Sequence, residues 1–338
     1  MINGFFDIQF RLDDLTKNGD PLVQLNERVN WELFRPELEQ IREKERKSAA
    51  GRKAFDVVLM FKILVLQSLY NLSDDAVEYQ VRDRLSFMRF LGFGIGDRVP
   101  DAKTIWLFRE QLGEAKLVKR LFKKFDRYLR EQGFTARKGQ IVDASIVSVP
   151  IQRNSREENK QIKEGKIPED WSEAKTRQKD THARWSARSH KHAYGYKNHI
   201  SIDARHKLIR DYAVTDAAVH DSQVLGKLLD ETNSSRDVWA DSGYQSEDNR
   251  NELEQRGYRA HLQRKGCRHR KLTHWEKQGN RTRSRIRCRI EHVFGIQAQM
   301  AGTLLLRTIG KARAEIKLGL RNLAYNIHRL GTLAPSTA

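Results

Sequence analysis

The apolar residues change their period near residue 135, and that change limits what the chain can build. Before it, apolar positions recur every three to four residues; after it, they alternate or gather into short β-branched blocks. Residues 1–135 therefore predict a helical domain and residues 136–330 a domain built on a sheet. The length of 338 residues is enough for both at roughly 100–200 residues each.

In the first part, Phe55 to Tyr70 (FDVVLMFKILVLQSLY) is apolar on nearly every face, the pattern of a helix enclosed by others. Ser73-Asp74-Asp75 opens a second helix, its hydroxyl and two carboxylates suiting the unsatisfied amides and the dipole of a first turn. That helix carries Val77, Val81, Leu85, Met88 and Leu91 on one side and ends at GFGIG. Asp101 caps a third helix with Ile105, Phe108 and Leu112, and a fourth runs from Ala115 to Gln132 with Leu117, Leu121, Phe125 and Leu129 four apart. Short helices with tight breaks suit a helix-turn-helix DNA reader, and equally a scaffold whose charges are merely solvated. The basic run Arg42, Lys44, Arg46, Lys47, Arg52, Lys53 suits phosphate contact or plain wet surface.

In the second part, Gln140 to Val149 alternates as a strand and Pro150 ends it. Residues 151–192 are polar and charged, with almost no aliphatic periodicity, and predict a long mobile insertion. Tyr196–Asp203 and Lys207–Val214 pair as a hairpin through Ala204-Arg205-His206. A helix capped by Asp221 follows (DSQVLGKLLDET), then a strand at Val238–Asp241 with Ser242-Gly243-Tyr244 as its exit turn. Ser246–Arg256 is expected as helix and Tyr258–Leu262 as a short strand. Strand, long loop, hairpin, helix, strand, helix, strand is the order of a ribonuclease-H-like mixed sheet with helices packed on it. The fold class is thus α+β, an N-terminal helical domain followed by this sheet domain.

Charge narrows the partners. Lys and Arg number 63 against 44 Asp and Glu, a net charge of +19 that favours an anionic polymer or surface. Two cysteines, Cys267 and Cys288, exclude a disulfide framework and cannot alone make a four-ligand zinc site. The start MINGFFDIQFRLDD lacks a basic stretch followed by an apolar one, so no signal peptide is expected. No membrane span is expected either, because the most apolar run, Val57 to Leu66, is interrupted by Lys62 and falls short of the ~20 residues a span needs. The expected compartment is a reducing one.

Three carboxylates stand where chemistry would place them. Asp143 lies mid-strand in IVDASIV, with Val142 and Ala144 pointing to the opposite face, so one charge is aimed from a fixed spot. Asp241 ends a strand before a glycine turn (WADSGY), and strand C-termini are where open α/β sheets bind ligands. Glu291 lies in RIRCRIEHVFGI beside a core stripe of Ile286, Ile290 and Val293. Two Asp and one Glu on a rigid scaffold can hold two Mg²⁺ ions, with waters and phosphate oxygens completing the octahedra; such a pair activates the attacking oxygen and stabilises the leaving one. A lone strand-end Asp is usually a turn former and a helical Glu usually surface. Here the three occur together in suitable elements.

The chain resembles DDE-type bacterial insertion-sequence transposases of the insertion-sequence-5 family. The resemblance rests on IVDASIV, YGYKNHISID, TDAAVHDSQ, WADSGY and RIRCRIEHVFG, with FDVVLMFKILVLQSLYNLSDDAVEYQVRDRLSFMRFLG in the helical part, and covers roughly residues 45–330. It implies a catalytic triad of Asp143, Asp241 and Glu291, Mg²⁺ (with Mn²⁺ as substitute) as two ions per site, and double-stranded DNA, both terminal inverted repeats and target, as partner. It further implies a homodimer that handles two element ends, and a bacterial cytoplasmic location. Of the related signature Tyr-x2-Arg-x3-Glu-x6-Lys, Arg287 and Glu291 are present. Ser284 stands at the Tyr position and Ala298 at the Lys position, so the roles of those two do not carry over. The other readings are a catalytically silent DNA-binding or regulatory protein derived from a transposase, and a structure-selective nuclease of the same fold.

Residues 261–290 hold eleven Lys and Arg, among them Arg264, Lys265, Arg283 and Arg287, against the single Glu276, and lead straight into the Glu291 helix. Contact with several phosphates is the expectation. Arg287 lies one helical turn before Glu291 and shares its face, whereas Arg285 and Arg289 project away. Tyr244 and Trp239 flank Asp241 and could stack on an unpaired base, although a strand Trp is more often core. Lys197 in YGYKNH could reach substrate or be solvated. His190, His192, His199, His206 and the pair Cys267–His269 lack zinc spacing, and are expected at the surface or facing phosphate.

Overall fold

A computed structural model describes residues 7–42, 53–188, 191–301 and 305–333. The basic run after Arg42 lies almost wholly outside the described residues, as does His190. The chain forms two compact units, Met1–Phe125 with Leu320–Ala338, and Asp126–Gly319.

The first unit is helical: α1 (Asp7–Lys17), α2 (Pro21–Arg28), α3 (Arg35–Glu39), α4 (Val57–Tyr70), α5 (Asp74–Asp83), α6 (Leu85–Leu91), α7 (Ala102–Glu114) and the first part of α8 (Leu117–Glu131). Asp56 starts α4 by accepting the amides of Val58 and Leu59, and Asn71 ends it in the left-handed region at φ 49°. Ten of the fourteen α4 residues are buried, so the helix is enclosed as its all-round apolarity predicts. Trp31 and Phe34 pack against its Phe61, with Phe34 and Phe61 ring centroids 4.7 Å apart, and Trp31 also meets Phe90. The buried Arg109 is answered by both carboxylate oxygens of Asp74, at 2.6 and 2.8 Å, and by Gln67. The single helix expected from Ser73 to Leu91 is two helices, because Arg84 is extended (φ −100°, ψ 116°), and the break lets α6 bury Phe87, Met88, Phe90 and Leu91. Among the described residues no single helix is long and apolar enough to cross a membrane.

The second unit is built on a six-stranded mixed sheet. Its strands are β1 (Gln140–Ser148), β2 (Arg184–Arg188), β3 (Lys191–Asp203), β4 (Ile209–Asp216), β5 (Asp237–Ala240) and β6 (Arg259–Leu262). β1 is central: it pairs antiparallel with β3 and parallel with β5, while β4 pairs antiparallel with β3 and β6 parallel with β5. The path β4-β3-β1-β5-β6 makes the mixed sheet of the ribonuclease-H-like fold class expected from the sequence, with β2 added along the first part of β3. β3 crosses close to β1 at Gly195 (φ +154°), where a Cβ would strike the carbonyl of Val147. Under one face, Val142, Val238 and Ala240 meet Val224, Leu225 and Leu228 of a 3-10 segment, Asp221–Leu228, and Leu253 of α11 (Glu247–Gln255). α12 (His274–Ala301) packs across β1 and β5 through the fully buried Ile290 and Val293. α13 (Lys311–Leu333) was not anticipated by the sequence analysis.

Two expectations are corrected here. The segment from Asp221 is a 3-10 helix capped by His220, because the Asp221 carboxylate is taken by Lys197 at 2.8 Å. Residues 151–192 are not a structureless loop: they form α9 (Arg156–Lys163) behind a Ser155/Glu158 capping box, α10 (Glu173–Gln178) capped by Ser172, and β2. Ile162 and Trp171 supply the apolar anchors that aliphatic periodicity did not reveal, and both are buried. The end of the insertion is held at Asp180, only 3% exposed, which accepts the Tyr196 hydroxyl at 2.8 Å and the amides of His182, Ala183 and Gly310. Burial first, and Asp180 second, push the Tyr196 hydroxyl far above its ordinary pKa, so it remains a donor. A second buried group, Arg210, joins Asp203 on β3 to Asp126 on α8.

Removing a partner from a buried hydrogen-bonded carboxylate costs more than the bond itself is worth. Asp180→Ala is therefore expected to lower unfolding stability by about 3 kcal/mol and Tyr196→Phe by about 1 kcal/mol, read from urea unfolding.

Candidate active site

Register, not proximity in sequence, assembles the candidate site. The last β1–β5 pair is Val142 with Ala240, so Asp143 and Asp241 are the next residues on two neighbouring strands that lie ~4.8 Å apart. Both belong to the face that α12 covers, because Val142 and Ala240 point into the core on the other side. Asp143 is positioned twice: one carboxylate oxygen accepts the amide of Ala144 at 2.8 Å and the other accepts Arg287 Nη1 at 2.7 Å. Asp241, 7% exposed, begins the 3-10 turn Ser242–Tyr244 and accepts the amide of Gly243 at 2.7 Å. Glu291, on α12, has a side chain 59% exposed and accepts Arg287 Nη2 at 3.0 Å.

Arg287 thus spans Asp143 and Glu291 with the two ends of one guanidinium. Three of its five N–H donors are left over, among them Nε, which is buried with no hydrogen-bond partner among the described residues. A cation held between two carboxylates with a donor to spare can neutralise the site and still take an acceptor such as a phosphate oxygen. Among the described residues, no group of three or more His, Cys, Asp and Glu side chains is clustered closely enough to hold a metal. The donor set itself suits a hard divalent cation, since Asp143, Asp241 and Glu291 offer only carboxylate oxygens, and the site already accommodates a positive charge between two of them.

One residue of the site escaped the sequence analysis as anything but a helix cap. Asp221 comes up beside the Asp241 turn: a Cβ on Gly243 would sit 2.9 Å from Asp241 Oδ1 and 3.4 Å from Asp221 Oδ2. Gly243 is what allows the two carboxylates to share that corner. Lys197 balances them, its ammonium donating to Asp221 Oδ1 at 2.8 Å and to the carbonyl of Val219 at 2.7 Å. Nothing local in YGYKNH or VHDS marks the pair, because its two charges lie 24 residues apart in the chain.

The other expected contacts are distributed differently. Lys197 is 8% exposed and engaged as described, so it is not a hand held out to DNA. Tyr244 is fully buried in the core and presents no face to a base, and the stacking role is corrected accordingly. Trp239 is likewise core, stacked on His261 at 5.0 Å. His199 is buried, hydrogen-bonded to Thr215, and driven by burial to a pKa of about 4; it is neither at the surface nor charged at neutral pH. Arg264 reaches Glu276 at 2.9 Å, the amide of Lys265 donates to Gln245, and Arg283 lies against Asn280. Ser284 accepts Gln263 at 2.7 Å, tying the end of β6 to α12, and Arg289 holds the carbonyl of Ala204.

Comparison with known proteins finds two family matches. Residues 10–111 match the family described as Transposase domain (DUF772), and residues 135–327 match the family described as Transposase DDE domain. Among solved structures, the chain is similar to a piggyBac transposase in a synaptic complex with hairpin DNA. The two are 13% identical with a TM-score of 0.46, and the match covers 92% of this chain and 74% of that one.

The Lys197–Asp221 pair is buried enough for its charges to depend on each other. Lys197→Met alone, or Asp221→Leu alone, is expected to cost about 3 kcal/mol by leaving a buried charge unanswered. The double substitution is expected to cost less than either, and chemical denaturation of the three variants reads the coupling.

Proposed function

Given that the chain belongs to the Transposase DDE domain family and is a DNA transposase, we propose that Asp143, Asp241 and Glu291 are the carboxylates with which it cuts and rejoins DNA. The observation that carries this reading is the Arg287 bridge. One guanidinium gathers the mid-strand Asp143 and the helical Glu291, 144 residues of chain separating Arg287 from Asp143, beside the strand that ends at Asp241.

The family's chemistry depends on a divalent metal, and we assign Mg²⁺, replaceable by Mn²⁺, as two ions held by Asp143, Asp241 and Glu291. Bound there, such ions supply Lewis acidity to the attacking and leaving oxygens of a phosphodiester. The chain's own residues do the placing. Asp143 is rigid because β1 is paired on both sides, and Asp241 because its turn closes on the Gly243 amide. Glu291 is exposed and has the freedom to swing inward from α12. Arg287 sits at the carboxylates and keeps N–H donors beyond the two that they use, so it is assigned to the phosphate being cut. First water and then the freed DNA 3′-hydroxyl attack phosphorus, and no covalent link between protein and DNA is needed.

The substrates are taken to be the terminal inverted repeats of the element and its target DNA, handled by a homodimer in the bacterial cytoplasm. Residues 1–135 are assigned to recognition of the element ends and residues 136–330 to catalysis. Arg264, Lys265 and Arg283 are assigned to the DNA backbone. The net charge of +19, with eleven Lys and Arg against one Glu over residues 261–290, supports DNA as the partner.

Asp143→Asn, Asp241→Asn and Glu291→Gln are each expected to lower single-turnover cleavage of element-end DNA about a thousandfold or more while leaving end binding intact, and EDTA to abolish cleavage by the wild type. Arg287→Ala is expected to reduce cleavage far more than binding. A triad variant that cleaves at the wild-type rate removes that residue from the site; equal losses in both assays for Arg287→Ala reduce it to a binding residue.

A further inference from the structure

Beyond the carboxylates, the turn that follows Asp241 opens into a pair of adjoining cavities that share Gln245, Lys265 and Cys267. The inner one holds about 240 Å³ and is lined by Arg250, Arg264, Lys265, Arg270 and Lys271, with Glu276 as its only carboxylate. The outer one, about 560 Å³, runs from there to Ser242, next to Asp241, and adds Arg268. Five cations around so small a space repel one another, and the structure answers only two of them. Glu276 pairs with Arg264 at 2.9 Å and Arg270 at 2.7 Å while accepting the amide of Thr273. That amide first, and Arg264 next, hold the Glu276 carboxyl below the usual carboxylate range. Among the described residues, Arg250, Lys265, Arg268 and Lys271 have no ion pair.

The walls are built rather than draped. The Lys265 amide donates to the Gln245 side chain, the Arg264 amide and carbonyl are both met by Asn280 of α12, and Cys267 and Arg270 close a turn on each other's backbone. With its carbonyl oxygen used by Lys265, Gln245 has only its amide N–H groups left to offer a ligand. A volume below the roughly 300–1,000 Å³ of pockets that enclose whole small molecules fits one small anionic group.

We propose that this socket holds a single internucleotide phosphate of the DNA strand running past the carboxylates, gripped by Arg250, Lys265 and Lys271 with Gln245 as a neutral donor. The proposal rests on the assignment of DNA as substrate and sharpens it: one discrete phosphate is fixed near the cut, in place of a diffuse basic surface. Glu276 acts as a positioning residue that keeps two guanidiniums in the wall without filling the space.

Cys267 is an exposed free thiol in the shared wall and reports on occupancy. In a Cys288→Ser background, maleimide labelling of Cys267 is expected to slow at least about tenfold with saturating element-end DNA, and little with inorganic phosphate at the same ionic strength. Oligonucleotides carrying one neutral methylphosphonate each are expected to show one position at which charge removal weakens wild-type binding about tenfold. That position is expected to become silent in Arg250→Gln/Lys271→Gln, which keeps the Glu276 ion pairs and so the fold. Undiminished labelling under bound DNA, or a variant as sensitive to that position as the wild type, overturns the socket and leaves the triad untouched. Protection by inorganic phosphate as complete as by DNA overturns the assignment to a DNA strand. Cleavage surviving in the triad variants, with the socket results as expected, overturns the catalytic reading alone.

Discussion

Three backbone pairings carry the sheet unit of this molecule. Gln140, Ile141 and Val142 lie beside Val238, Trp239 and Ala240 in parallel, and nothing else brings Asp143 next to Asp241 across 98 residues of chain. Parallel pairing cannot be closed by a tight turn; it needs a crossover, and here the crossover is long enough to contain a hairpin, the 3-10 segment and the whole of β2. Because side chains alternate along a strand, a slip of one residue would turn Asp143 into the core and Val142 out of it. The fully buried Val142 and Val238 make that slip costly, so the same contacts that stabilise the sheet also aim the carboxylates.

Once three or four carboxylates are brought to one end of a sheet, their repulsion has to be offset locally. The structure does so with two cations of different character. Lys197 is deep, bonded to Asp221 and to a backbone carbonyl, and so acts as a fixed counter-charge. Arg287 is shallower, divided between Asp143 and Glu291, and keeps N–H donors unused, Nε among them. A planar guanidinium with a donor left over can exchange partners in a way that an ammonium with its bonds already made cannot. The repulsion at the acidic corner is therefore reduced by one fixed and one adjustable counter-charge.

Much of this was legible in the residues. The all-apolar α4, the β-branched β1 and the carboxylates at WADSGY and RIRCRIEHVFG were plain because each combines a strong local pattern with a chemically distinctive residue. What escaped notice depended on distant partners. Asp221 looked like a helix cap because its lysine lies 24 residues earlier on another strand. Tyr244 looked available because it neighbours Asp241 in sequence, yet the turn folds its ring into the core under Val142. Residues 151–192 looked unable to fold because their anchors, Ile162, Trp171 and Asp180, are single residues at no regular spacing, and a buried carboxylate leaves no trace in hydropathy. Arg84 broke a helix whose apolar stripe ran straight through it, since the pattern survives a bend that the backbone does not.

β3 is longer than any single partner could cover, and the strand it gains from the insertion has a bearing on how the protein behaves in a crowded cell. Residues 191–195 would present unpaired amides and carbonyls beside Tyr194, and such edges recruit strands from other molecules. β2 fills that place with the chain's own backbone, and Trp185 packs against Tyr194 at 5.3 Å between ring centroids. Gly195 then admits β1 to the same stretch at a distance no side chain would permit. A shortened insertion would thus leave the carboxylates in place and create a sticky margin, so the penalty would fall on solubility and yield before it fell on turnover.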